Sequence, residues 1–167
     1  MLVKKIVALF LLVFVISSCS QKLKGGITPQ IIPTPLNQDI KEGQFVLNNA
    51  TGIKYPEALK VSAELLKSFI ENGSDFQLKT SNDIEFILDS ELNNKEGYVL
   101  DVQPKKIKIR ASTDQGAFYA VQSLKQLLPP EFENKSLKEK QIAIECVTIH
   151  DAPQFKYRGM HLDVGRH

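Results

Sequence analysis

At 167 residues, with 21 Lys and Arg against 19 Asp and Glu, the chain suits one ordinary domain with short extras and is almost charge-neutral. No basic stripe marks a nucleic-acid surface, so nucleic acid is not an expected partner. Hydrophobic residues make up 43% of the chain, enough for a packed core.

The N-terminus reads as a targeting segment. Lys4 and Lys5 form a positive region, and Ile6 to Ile16 form an apolar run of eleven residues. At about 1.5 Å per residue such a helix is too short for a ~30 Å hydrocarbon core. Ile16-Ser17-Ser18-Cys19 has the pattern of a bacterial lipobox: small residues precede a cysteine that is diacylated after export and becomes the first mature residue. Several acyl chains, at ~0.8 kcal/mol per buried methylene, make a stable anchor. The expectation is a lipoprotein signal peptide over residues 1–18 and lipidation at Cys19. The chain would then be anchored in the bacterial cell envelope, facing the periplasm or the cell surface. An ordinary signal peptide with a chance cysteine is the plainer alternative. With Cys19 acylated, Cys146 has no partner for an intrachain disulfide. Lying in the apolar run Ile142 to Ile149, it reads as a small buried hydrophobe.

Residues 19–29 form a polar, Gly-containing tether. An α+β domain is expected over 30–150. Ile31 to Pro35 reads as an extended edge segment, because its two prolines remove ladder donors. Gln44 to Leu47 reads as a short strand, with Asn48 and Asn49 turning after it. Pro56 suits the first turn of a helix running to Glu71. Ala58, Val61, Leu65, Leu66, Phe69 and Ile70 share its expected apolar face, and Asn72-Gly73 stops it. Ile84 to Leu88, Tyr98 to Val102 and Ile107 to Ala111 read as strands. The last two form a hairpin across Pro104-Lys105. Thr113 or Asp114 caps a second helix with the buried stripe Ala117, Val121, Leu124 and Leu128, which Pro129-Pro130 ends. A charged loop over Glu131 to Lys140 leads to a strand over Gln141 to Ile149. Asp151-Ala152-Pro153 is a hinge, and Tyr157 to Val164 alternates as one more strand. The expected domain is an antiparallel sheet with two helices on one face.

Few residues invite chemistry. His150, His161 and His167 lack metal-ligand spacing, so no metal is expected. No Gly-rich phosphate loop occurs. Asp89 and Glu91 fall at a strand end and its turn, where a solvated loop is the better account than a catalytic pair.

The run Asp151-Ala152-Pro153-Gln154-Phe155-Lys156-Tyr157-Arg158-Gly159, followed by Leu162-Asp163 and Arg166-His167, resembles the domain junction of family 20 glycoside hydrolases, the β-N-acetylhexosaminidases. The resemblance covers about residues 30–167. It implies a small α+β domain followed by a (β/α)8 barrel, of which 151–167 would be the start and the last strand the first barrel strand. It also implies that Arg166 binds adjacent hydroxyls of a terminal N-acetylhexosamine. A guanidinium fork at the C-terminal end of a barrel strand suits that role. Asp163 would orient Arg166, or else serve only as a strand-end residue. Arg158 and Gly159, at the far end of that strand, and His161, packed within it, read as structural. His167 would support the site.

The family's reaction is substrate-assisted and retaining, and it uses an Asp-Glu pair for which this chain has no counterpart. No cofactor is implied. A barrel needs about 250 residues, so a truncated product or partial coding sequence is expected, inactive by itself. The absence of Trp fits a chain lacking most of a sugar site. The expected partners are N-acetylhexosamine-terminated glycans or glycoconjugates, and a membrane through the lipid on Cys19. The alternative is a non-catalytic, lipid-anchored structural or glycan-binding module.

Overall fold

The computed structural model describes residues 29–160 and residue 165. The leader, Cys19, Asp163, Arg166 and His167 lie outside the described residues. The elements run β1 (Asn37–Asn48), β2 (Gly52–Lys54), a 3-10 turn (Glu57–Leu59), α1 (Lys60–Gly73), β3 (Lys79–Leu88), β4 (Tyr98–Gln103), β5 (Lys106–Ala111), α2 (Asp114–Gln126), a second 3-10 turn (Pro130–Phe132) and β6 (Gln141–Asp151).

The six strands form one sheet in the order β1-β6-β4-β5-β3-β2. It is mixed, which corrects the antiparallel expectation. The β1/β6, β6/β4 and β4/β5 pairs are antiparallel, but β3 is parallel to both β5 and β2. The cause is topological. A strand–helix–strand crossover, or an intervening antiparallel strand, returns the chain to the same end of the sheet before a parallel partner. Here β2–α1–β3 is one such crossover, whereas the loop from β3 leads to β4 and only its hairpin partner β5 reaches β3.

Alternation along the strands assigns the faces. Leu100, Val102, Ile107, Ile109, Ile84 and Phe86 point into a core shared with both helices and are almost fully buried. Lys106, Lys108, Arg110, Glu85 and Asp101, one position out of phase, lie on the opposite face and stay partly exposed. Both helices therefore cover the same face. In β6 the phase changes at Cys146: Ile142 and Ile144 precede it in the core, and Val147 and Ile149 follow it there. The same point carries an irregularity in the pairing with β1, between Ile40 and Gln44. Gly43 takes φ 103° there, and a Cβ on it would sit 3.0 Å from Pro104. Cys146 is 1% exposed, as its apolar run implied.

Helix α2 bears out its stripe: Ala117, Val121, Leu124 and Leu128 are buried. Thr113 is the cap, its Oγ1 accepting from the Gly116 N–H at 3.3 Å. Helix α1 departs from expectation. Its buried stripe is Leu59, Ser62, Ala63, Leu66 and Ile70, whereas Val61 is 75% exposed. A polar residue takes the inward place because the Ser62 N–H and Oγ donate to the Asp114 carboxylate and carbonyl at 3.1 and 2.8 Å, tying α1 to the start of α2.

Ile31 to Pro35 forms no strand. The first strand is the longer β1, and the second is β2. The expected loop after Pro130 holds a core residue, Phe132, whose ring centroid lies 6.0 Å from that of Phe69 and 6.5 Å from that of Phe76. Finally, Tyr157 to Met160 carries no strand ladder, because no described strand runs alongside to accept its backbone groups. The remainder of that predicted strand, residues 161–164, lies outside the described residues.

Candidate functional site

A concavity with polar and ionic walls lies where the chain leaves the sheet. A cleft of about 450 Å³ opens between residues 31–34, the outward side of α2 at Tyr119, Gln122 and Gln126, and the exit segment after β6. The Gln126 amide clamps the N-terminal wall, accepting from the Ile32 N–H at 2.9 Å and donating to the Ile32 carbonyl at 3.1 Å.

The cleft floor is a polar triad. The Tyr98 hydroxyl lies 2.5 Å from Ser123 Oγ and donates to Asp151 Oδ2 at 3.4 Å. Asp151 Oδ1 accepts from the Leu36 N–H at 3.1 Å. Burial pushes the Tyr98 phenol up to about 12, against the opposing effect of the Ser123 hydrogen bond and with help from the nearby Asp151 charge. The hydroxyl thus stays protonated at neutral pH and joins β4, α2 and the end of β6; it is not poised to act as a base.

The rim is ionic. Arg158 Nη2 donates to Glu96 Oε1 at 2.6 Å and Nη1 to Oε2 at 3.3 Å. Nη2 also donates to the Tyr119 hydroxyl at 3.0 Å, and Nη1 to the Phe155 carbonyl. Gln115 Nε2 donates to Glu96 at 2.5 Å. The hydrogen bond from Arg158 holds the Glu96 carboxyl below its ordinary value, and Glu96 in turn raises Arg158. The two shifts agree on a charged pair.

The rest of the domain offers no competing chemistry. Among the described residues no cluster of His, Cys, Asp and Glu fits a metal ion. No helix there is long and apolar enough to cross a membrane. Burial raises the Cys146 thiol, with Glu145 adding to the effect, so it is not a ready nucleophile. The Lys106 hydrogen bond lowers Glu85. Asp89 is lowered by the Glu91 N–H and then by Arg110, which grips it at 2.8 and 2.5 Å, so it sits at the expected strand end but in an ion-paired brace and not a solvated loop. Every shifted carboxylate moves downward, away from what a general acid needs.

Of the residues the sequence singled out, Arg158 is held in the structural role expected of it. Asp163, Arg166 and Cys19 lie outside the described residues. Glu96, Tyr119 and Tyr98 were not anticipated. Glu96 and Arg158 are 62 positions apart, and no local pattern pairs residues at that distance.

The α+β domain matches a family model, "Glycosyl hydrolase family 20, domain 2", over residues 28–152. The chain belongs to glycoside hydrolase family 20. It is 34% identical over 165 residues to a beta-hexosaminidase of Porphyromonas gingivalis, covering 90% of this chain and 21% of the relative. To a beta-hexosaminidase of Vibrio furnissii it is 30% identical over 142 residues, covering 84% and 22%. The family 20 fold also recurs in solved structures. A mutant Streptomyces plicatus beta-hexosaminidase in complex with GlcNAc product superposes with a TM-score of 0.72 at 26% identity, over 81% of this chain and 29% of that one. The beta-N-acetylhexosaminidase of Bacteroides fragilis gives 0.61 at 26% identity, over 78% and 26%. The chain spans about a fifth of the length of these curated relatives. The family match falls on the α+β portion that carries the cleft and its braces.

Proposed function

We propose that this chain is the domain-2 portion of a β-N-acetylhexosaminidase whose parent releases terminal, non-reducing N-acetylhexosamine from glycans or glycoconjugates. The observation that carries the reading is the family 20 domain-2 match over residues 28–152, with beta-hexosaminidases as relatives. The parent would use the substrate's 2-acetamido oxygen as nucleophile and an Asp-Glu pair to position it and to protonate the leaving oxygen. In this reading residues 151–167 begin a (β/α)8 barrel, Arg166 holds two adjacent sugar hydroxyls with its planar fork, and Asp163 orients it. No metal or organic cofactor enters the reaction.

The chain would be carried to the cell envelope by residues 1–18 and anchored through lipid on Cys19. Metabolic labelling with a radioactive fatty acid tests the anchor: label on the wild type and none on Cys19→Ala supports it, and an unlabelled wild type refutes it. Hydrolysis of a chromogenic N-acetylglucosaminide tests the activity. The 167-residue chain should release no chromophore, while the product of an in-frame gene extending past His167 should. An extended product that binds glycans without cleaving them would favour a lipid-anchored binding module instead.

A further inference from the structure

The Arg158 anchor is more than a surface ion pair. Isolated exposed pairs contribute little, because two long side chains must be ordered in water. Here one guanidinium meets both carboxylate oxygens of Glu96, the Tyr119 hydroxyl and the Phe155 carbonyl. Its carbon lies 5.8 Å from the centre of the Tyr119 ring. The receiving groups are set before Arg158 arrives: Tyr119 stands on α2, Gln115 one turn earlier holds Glu96, and Glu96 sits two residues before β4. The bond to the Phe155 carbonyl also closes the turn 155–158 on itself. Immediately beyond, Gly159 leaves room for Tyr157: a Cβ there would come within 3.1 Å of the Tyr157 hydroxyl. The exit segment is thus tied to Glu96 and α2 at Arg158.

From these contacts we infer that Glu96, with Tyr119, is a latch for Arg158 that fixes how the chain leaves domain 2 and so bears on the placement of Asp163 and Arg166. That consequence rests on the reading of Arg166 as a sugar ligand. Arg166 lies eight residues beyond Arg158, at most about 26 Å of extended chain at ~3.3 Å per residue. Only a short length of chain therefore separates the latch from Arg166. Glu96 and Arg158 are positioning residues and touch no substrate.

Two measurements test the latch, and Glu96→Gln, which keeps the shape and removes the charge, serves in both. In the 167-residue chain, amide hydrogen exchange over residues 152–160 should rise about fivefold, the scale of a lost partly exposed ion pair. Tyr119→Phe should give a smaller rise. Glu85→Gln, which breaks the Lys106 pair on the opposite sheet face, should leave that segment unchanged. In the parent enzyme Glu96→Gln should raise KM by about threefold or more with kcat less affected, and Arg158→Lys should cost less than Arg158→Ala. Unchanged exchange in Glu96→Gln would overturn the latch. Faster exchange with unchanged KM would overturn the positioning role. A wild-type parent that cleaves no N-acetylhexosaminide would instead sink the proposed activity, while the exchange measurement would still decide whether the latch exists.

Discussion

Removal of one hydroxyl from the cleft floor tests whether Tyr98, Ser123 and Asp151 form a brace. Tyr98 is 3% exposed and Ser123 5%, with their oxygens 2.5 Å apart. Tyr98→Phe keeps the ring in the core but strands the Ser123 hydroxyl. A buried group left unsatisfied costs about 1–3 kcal/mol. A helical serine can turn to the carbonyl one turn back, which trims the loss to about 1.5 kcal/mol. Ser123→Ala leaves the Tyr98 hydroxyl only the 3.4 Å contact to Asp151, at a similar cost. In the double variant neither oxygen is stranded, so the total should fall well short of the sum, with a coupling of about 1 kcal/mol or more. Urea unfolding of the four proteins at neutral pH measures this, with an unchanged m-value showing that the denatured state is the same. Additivity within about 0.3 kcal/mol would refute the brace, since the two hydroxyls would then be satisfied independently.

Three further outcomes follow from the same structure. Gly116→Ala should destabilise, although alanine favours a helix by about 1 kcal/mol: its Cβ would stand 2.4 Å from the Gly97 carbonyl and 3.3 Å from the Ala111 Cβ. Forcing α2 off that backbone costs about 1–3 kcal/mol, so a higher thermal midpoint than wild type would contradict the close approach. The lowered Glu96 carboxyl fixes the pH dependence of the latch: its contribution is complete above pH 4.5 and is lost as pH falls below that value through the folded pKa. Protection of amides 152–160, taken relative to the intrinsic exchange rate at each pH, should fall in the wild type in that acid range, and Glu96→Gln should show no such step. Tyr98 works in the opposite direction, since its folded value of about 12 exceeds the ordinary 10.0. Its contribution is complete below pH 10 and is lost as the pH rises toward 12. Near-ultraviolet titration should therefore show one of the four tyrosines ionising last, and Tyr98→Phe should remove that late step.

Local signals made much of the domain legible. Thr113, the Ala117–Val121–Leu124–Leu128 stripe and Pro129 carry the start, face and end of α2 in adjacent residues. The β4–β5 hairpin follows from two alternating runs around Pro104-Lys105. What escaped was long-range. Nothing in the residues of β3 says that it pairs in parallel with β2 and β5, because alternation reports burial and not direction. The face of α1 was misjudged because Val61 and Leu65 are apolar while Ser62 is polar, and only the bond from Ser62 to Asp114 reverses that preference. Phe132 looked like a loop residue in a charged segment, yet it packs against Phe69 and Phe76. The junction motif pointed to the family from a short run after residue 150, but the cleft beside it is lined by Tyr98, Tyr119 and Ser123, which carry no motif at all.

The distribution of charge gives the carboxylates of this domain a common environment. Glycoside hydrolysis needs a carboxyl held neutral near working pH, which requires burial or a like charge beside it. The shifted carboxylates described here have the reverse environment. Glu85 faces Lys106 at 2.7 Å, Asp89 faces Arg110 at 2.5 Å and Glu96 faces Arg158 at 2.6 Å. Asp101 is raised by burial, but the hydrogen bonds of Thr148 and Gln103 and the Lys41 charge more than offset that. Each is fixed as an anion and joins strand to strand or sheet to exit segment. The Glu96–Arg158 pair reaches past the sheet to the chain that follows. These four carboxylates are committed to cations, and through Arg158 the last of these pairs fixes the exit segment.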